Sequence, residues 1–177
     1  MTESVIGYLP DSSDGFPWNK DECLCFTGHR MIPDRERLRL NQTLDTALNQ
    51  AYLTGKRIFL SGGALGFDTL AAEAVLRLRE KQASIKLILV LPCLDQSKRW
   101  SLRDQATYQH MLSRADQTIY TSREYFDGCM QKRNRFLVDH ASCCICYLRS
   151  CRGGTWNTVS YADDQGLSIR NLAQELR

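Results

Sequence analysis

The sequence predicts an α/β chain built on a mainly parallel central sheet with helices on both faces. Three observations predict it. Short apolar runs alternate with longer segments of helical periodicity, two of those runs are apolar at nearly every position, and glycines recur where a run gives way to a helix. Such alternation calls for right-handed crossovers, which bring the strand carboxyl ends to one edge, where ligands of open α/β sheets bind.

The elements follow in order. Residues 23–27, "CLCFT", read as the first strand, and 35–53 as a helix with an apolar face of Leu38, Leu44, Leu48, Ala51 and Tyr52. Gly55 suits the left-handed conformation that ends such a helix. "RIFLS" (57–61) is the second strand, followed by a glycine turn and a helix over 67–81. "IKLILVLP" (85–92) is apolar almost throughout, as in a strand covered on both sides. A helix over 98–114, the strand "QTIYT" (117–121), a helix over 127–141 and the buried strand "CCICYL" (143–148) complete the alternation. A helix in the second half of "RGGTWNTVSYADDQG" and a terminal strand close the chain. Residues 1–20 carry Pro10, Gly15 and Pro17, stand outside this pattern and read as a poorly ordered arm anchored by Trp18; residues 21–177 form one domain.

Composition excludes several classes. With 43% hydrophobic and 24% charged residues the chain is globular in character, and a net charge of +3 is too small and too dispersed to point to nucleic acid. No apolar run reaches the ~18 residues of a membrane span, and the start lacks a signal-peptide pattern, so a cytoplasmic protein is expected. The eight cysteines read as buried reduced thiols. "SCCICYLRSC" has no clear CxxC pair, and neighbouring thiols on one strand point to opposite faces, so no metal site is expected.

Three glycine-bearing junctions fall at strand carboxyl ends: "TGHR" (27–30), "SGGALGFD" (61–68) and "RGGT" (152–155). Glycine leaves backbone N–H groups uncovered, and each helix amino terminus adds about half a positive charge, so the three together predict a phosphate-bearing ligand. The spacing from Gly62 is GGxxG, neither the GxGxxG fingerprint nor a P-loop.

"TGHR", "SGGALGFDTLAAE", "QKRNRFLVDHA" and "GGTWNTVSYA" resemble, in order and spacing, the motifs of the YpsA-type bacterial domain of unknown function. That family lies in the SLOG superfamily, with DNA-processing protein A and the Lonely Guy phosphoribohydrolases. The resemblance covers about residues 23–170 and implies a Rossmann-like domain that binds a nucleotide or nucleotide derivative such as ADP-ribose. It implies a site of Gly28, His29 and Arg30, with Arg30 pairing a phosphate and His29 either doing likewise or capping the turn. Ser61, Gly62, Gly63 and Gly66 would form the main backbone cradle, and Asp68 would meet ribose hydroxyls or cap the following helix. Arg133 and Asn134 would face the cleft, with Arg135 left to solvent or an ion pair; Gly153, Gly154 and Thr155 would form a second phosphate nest. Trp156 is read as packing before stacking, and Gln96 and Trp100 fall where adenine or ribose would lie. Similar proteins often dimerise, which implies a homodimer. No cofactor beyond the nucleotide-derived ligand is required.

Three functions are compatible with these residues. The first is a domain that senses or sequesters a nucleotide. The second is a nucleotide N-glycosidase, for which Glu73 and Asp68 are the candidate catalytic carboxylates; the PGGxGTxxE motif of the Lonely Guy hydrolases is incomplete here, with Val159 and Ser160 near the glutamate's place. The third is single-stranded DNA binding. The run Arg35, Arg37, Arg39 is interrupted by Glu36, which argues against that reading.

Overall fold

The computed structural model describes residues 5–8 and 16–176. Seven strands form one parallel sheet: β1 (Val5–Tyr8), β2 (Cys23–Gly28), β3 (Ile58–Ser61), β4 (Lys86–Leu91), β5 (Gln117–Tyr120), β6 (Cys143–Tyr147) and β7 (Ser168–Asn171). Their order is β1-β5-β4-β3-β2-β6-β7. The chain therefore steps one way from β2 through β5, then returns to add β6 on the other side of β2. The switch point lies between β2 and β6, whose register runs from Leu24↔Cys143 to Gly28↔Tyr147.

The helices are α1 (Asp34–Leu53), α2 (Phe67–Lys81), α3 (Leu102–Arg114), α4 (Cys129–Asp139), α5 (Gly154–Asp164) and α6 (Leu172–Glu175). Two cores sit on the two sides of the sheet, divided by the strands' period of two. Leu24, Phe26, Phe59, Leu87 and Leu89 face α1, α2, α3 and α6, while Cys23, Cys25, Ile58, Leu60, Ile88 and Val90 face α4 and α5. Cys25 and Cys144 are register partners in this second core, together with Cys146. Burial pushes their neighbour Cys23 up to about 12, which keeps its thiol protonated.

The expected strand–helix series is present, with local corrections. Leu38 is 72% exposed, and the buried stripe of α1 is Leu40, Leu44, Ala47 and Leu48. The i, i+4, i+7, i+8 spacing from Leu40 matches the helical period, whereas Leu38 falls about 200° away from it. The α3 helix starts at Leu102 rather than near residue 98, because Ser101 caps it by accepting from the Asp104 amide. Gly55 has φ +96 one residue beyond the α1 C-cap. Within the stretch expected to stand outside the sheet, Val5–Tyr8 pair parallel with Gln117–Tyr120 and add an edge strand. Four residues carry too little periodicity to reveal a strand in isolation. Phe16 packs edge-on to Trp18 (5.2 Å) and Phe136 (5.7 Å), which fastens the entry to the domain against α4.

Candidate functional site at the topological switch point

The junction after β2 is held from three directions by His29, through its two main-chain groups and its ring. Its N–H donates to the Tyr147 carbonyl (3.2 Å), its carbonyl accepts from the Phe67 amide (3.2 Å), and its ring Nε2 accepts from the Arg149 amide (2.9 Å). His29 thus serves as the cap of the turn. Burial first, and then the Arg149 charge, lower its pKa and favour the neutral ring this acceptor role needs. Gly28 is required by packing, since a Cβ there would stand 2.5 Å from the Phe67 ring.

The glycine turn after β3 is likewise filled by protein. Gly66 has φ +81, and its face is pressed against the Arg30 main chain. Gly62 leaves room for the Arg133 guanidinium, whose Nη1 donates to the Gly62 carbonyl. Gly63 (φ +60) turns toward Leu91 and Tyr108. Ser61 is fully buried; its hydroxyl donates to the Asp68 carbonyl and accepts from the Gly63 amide. The Gln96 amide, expected near a base, donates to the Gly63 carbonyl at 3.0 Å. This turn is therefore a packed device that joins β3, α2 and α4, with its Gly63 and Ala64 amides taken up by the Ser61 hydroxyl and the Asp68 carboxylate.

Asp68 and Arg133 are the two buried charges of the region, at 6% and 5% exposure. Asp68 does not cap α2: it sits in the first turn and reaches back to the Ala64 amide at 3.4 Å. Burial pushes its carboxyl up to about 6, against the opposing pull of Arg133, the Ala64 amide and Arg30. The same burial lowers Arg133, with Asp68 opposing. From Arg133 a relay runs through Asn134 Oδ1 (2.7 Å), then Asn134 Nδ2 to Thr158 (2.9 Å), then Thr158 to the Gly154 carbonyl (2.8 Å). It ties the glycine turn to the amino terminus of α5.

That amino terminus is open. Gly153 (φ +86) is the N-cap with no side-chain cap, and a Cβ at Gly153 or Gly154 would meet nothing within 4 Å. The first amides of α5 have no intrahelical acceptor, so they and the helix dipole present a site for an anion. A cavity of about 340 Å³ lies there, lined by Gly28, His29, Arg30, Asp68, Arg133, Asn134, Gly154 and Thr155, with Thr27, Ala64 and Met130. The fold thus brings eight of the expected residues to one cavity at the switch point, while Ser61, Gly62, Gly63, Gly66 and Gly153 stand outside its lining. Glu73 opens into a different cavity, about 780 Å³, between α1, α2 and α3, so the two candidate catalytic carboxylates do not share a chamber. Arg135 lies over the Tyr161 ring at 5.3 Å, and Trp156 remains 37% exposed.

Sequence reasoning missed Thr158 and the cluster beside His29, in which Tyr147 donates to Glu36 (2.6 Å) and Arg149 pairs with the same carboxylate (2.5 Å). Thr158 had a signal, its i, i+4 spacing to Gly154. The Glu36 cluster spans 113 positions and had none.

A model of the YspA SLOG family (YpsA) matches residues 28–162. The prophage-derived protein YoqJ of Bacillus subtilis is 33% identical over 116 residues, 59% of this chain and 68% of YoqJ. A UPF0398 protein of Bacillus licheniformis is 26% identical over 61% of this chain and 60% of its own length, so the match spans well under the whole of that relative. Among solved structures, DNA processing protein A from Helicobacter pylori, described with a single-stranded DNA binding mode, superposes with TM-score 0.61 at 18% identity, over 85% of this chain and 64% of that one. DNA processing protein A from Streptococcus pneumoniae gives the same score over half of its chain. At this identity the two structures are alike in fold.

Proposed function

This chain belongs to the YspA SLOG family, and we propose that its switch-point cavity binds the phosphate of a nucleotide or nucleotide-derived ligand, as a sensing or sequestering domain. The observation that carries this reading is the uncapped amino terminus of α5 opening into that cavity. Arg30, which lines the same cavity and has no side-chain hydrogen bond or ion pair among the described residues, supplies a cation for charge-assisted pairing. Arg133 adds positive charge from below while it holds the loop.

The arrangement favours binding over cleavage. Among the described residues Asp68 is the one carboxylate on the cavity wall, and it is buried beside the Arg133 charge and bonded to the Ala64 amide. No second carboxylate among the described residues stands across the chamber to divide acid and base roles. A DNA-binding reading rests on the likeness in fold. The basic run of α1 lends it little support, since Arg35 and Arg37 lie beside Glu36 (3.9 Å) and Asp34 (3.5 Å), and Arg39 donates to the Leu176 carbonyl.

The test is a thermal-shift panel of ADP-ribose, NAD, cyclic nucleotides, nucleoside monophosphates and a single-stranded oligonucleotide, with chromatography for released base. Stabilisation by an intact nucleotide, of order RT ln(1 + [L]/Kd), is the expected result. Free base would make the protein an N-glycosidase, and response to the oligonucleotide alone would move it to DNA. Gly154→Asp places a carboxylate in the first turn of α5, where it favours the helix dipole and occupies open space. It is expected to abolish nucleotide binding while leaving the thermal midpoint equal or higher.

A further inference from the structure

Arg30 lines both cavities, and the larger one is unassigned. Its charged residues divide by what they already bond. Asp104 accepts from the Ser101 hydroxyl (2.7 Å) and Arg37 pairs with Asp34, so both are engaged. Arg30, Arg103 and Glu73 have no side-chain hydrogen bond or ion pair among the described residues. Glu73 is half-buried on α2, one turn beyond Thr69 and Leu70, which line the same chamber. Trp100 forms part of the wall, held by an edge contact to Tyr108 at 5.2 Å. A volume of about 780 Å³ is of the size that small organic ligands occupy, far more than an inorganic ion needs.

We propose that this cavity is a guanine-type base subsite for the ligand whose phosphate occupies the switch-point cavity, an inference that rests on that phosphate reading. A carboxylate accepts hydrogen bonds and donates none. Guanine presents two adjacent donors on its pairing edge, the ring N–H and the exocyclic amine. Adenine and cytosine set an acceptor beside their donor, which would oppose a lone pair to a carboxylate oxygen. An unpartnered glutamate in a chamber with an indole wall therefore selects guanine, with Trp100 packing along the ring. Arg30, common to both chambers, pairs the phosphate group between them.

Calorimetric titration of the full chain with GMP, AMP, guanosine and ribose 5-phosphate, repeated on Glu73→Gln, tests this. A well-made two-bond pair to a base discriminates by about ten- to a hundredfold, so GMP is expected to bind that much more tightly than AMP. Glu73→Gln keeps the side-chain shape and helix propensity. It is expected to bring GMP within a few fold of AMP and to leave ribose 5-phosphate affinity unchanged. Equal affinity for GMP and AMP, or a preference that survives in Glu73→Gln, overturns the subsite even where ribose 5-phosphate binds. Guanosine bound by the unaltered chain and lost in Glu73→Gln, with ribose 5-phosphate silent, supports the subsite and removes the phosphate reading. Silence across all four overturns both.

Discussion

Gly66→Ala separates the two reasons a chain places glycines at a strand-to-helix junction. Gly66 stands at φ +81 and ψ −118, a conformation nearly closed to other residues, which costs about 1–3 kcal/mol for alanine. Its Cβ would also stand 2.6 Å from Arg30 Cα and closer still to that residue's carbonyl. Backbone cannot swing aside as the end of a side chain can, and such overpacking adds about 1–3 kcal/mol. The sum is roughly 2–6 kcal/mol, or a fall of roughly 4–24 °C in thermal midpoint for a chain of this size. Gly153→Ala is the control. Its φ of +86 and ψ of −175 carry the same kind of conformational cost, but a Cβ there meets nothing, so about 1–3 kcal/mol is expected. Urea denaturation of both variants, without ligand, measures the difference. If Gly66→Ala is no more destabilising than Gly153→Ala, the close contact with Arg30 does not set the glycine. If it folds with unchanged stability yet loses nucleotide, the turn is a phosphate cradle after all.

Three further outcomes are expected. Asp68 has a folded pKa of about 6 against an ordinary 3.8, so the protein is most stabilised by this group below pH 4 and loses that stabilisation as pH rises through 6; the full displacement corresponds to ~3 kcal/mol, read as urea midpoints between pH 4 and 7.5, with a flatter profile in Asp68→Asn. Arg133→Met removes the bond to the Gly62 carbonyl and leaves Asp68 buried without its counter-charge, so a loss of about 3–5 kcal/mol is expected by denaturation, and an unchanged midpoint would contradict the buried pair. Trp156→Ala, at an exposed position on α5, is expected to move stability by no more than about 0.5 kcal/mol, so any larger effect on nucleotide affinity in the same variant reports ligand contact.

Much of the architecture was legible because its signals are local. Strand runs such as "IKLILVLP" announce burial on both faces, and their alternation with helical segments implies a parallel sheet before any contact is known. The three glycine junctions could be assigned to one edge because right-handed crossovers leave no other arrangement. Where the local signal was thin, the reading slipped. Leu38 resembled a core residue until Leu40 proved to sit on the buried stripe, and Val5–Tyr8 are too few to show a period.

The sequence by itself determined the fold class, the sheet edge that holds the switch-point cavity and the residue types gathered there. Only the tertiary structure decided which of those residues face open space. Glycine permits close approach without saying what approaches, and at Gly28, Gly62 and Gly66 the visitors are Phe67, Arg133 and the Arg30 main chain, while Gly153 and Gly154 remain open. The assignment of Asp68 and Glu73 to separate chambers was equally hidden. Five positions along one helix put them about a turn and a half apart, and which neighbour each meets depends on α3 and α4, contributed from far along the chain.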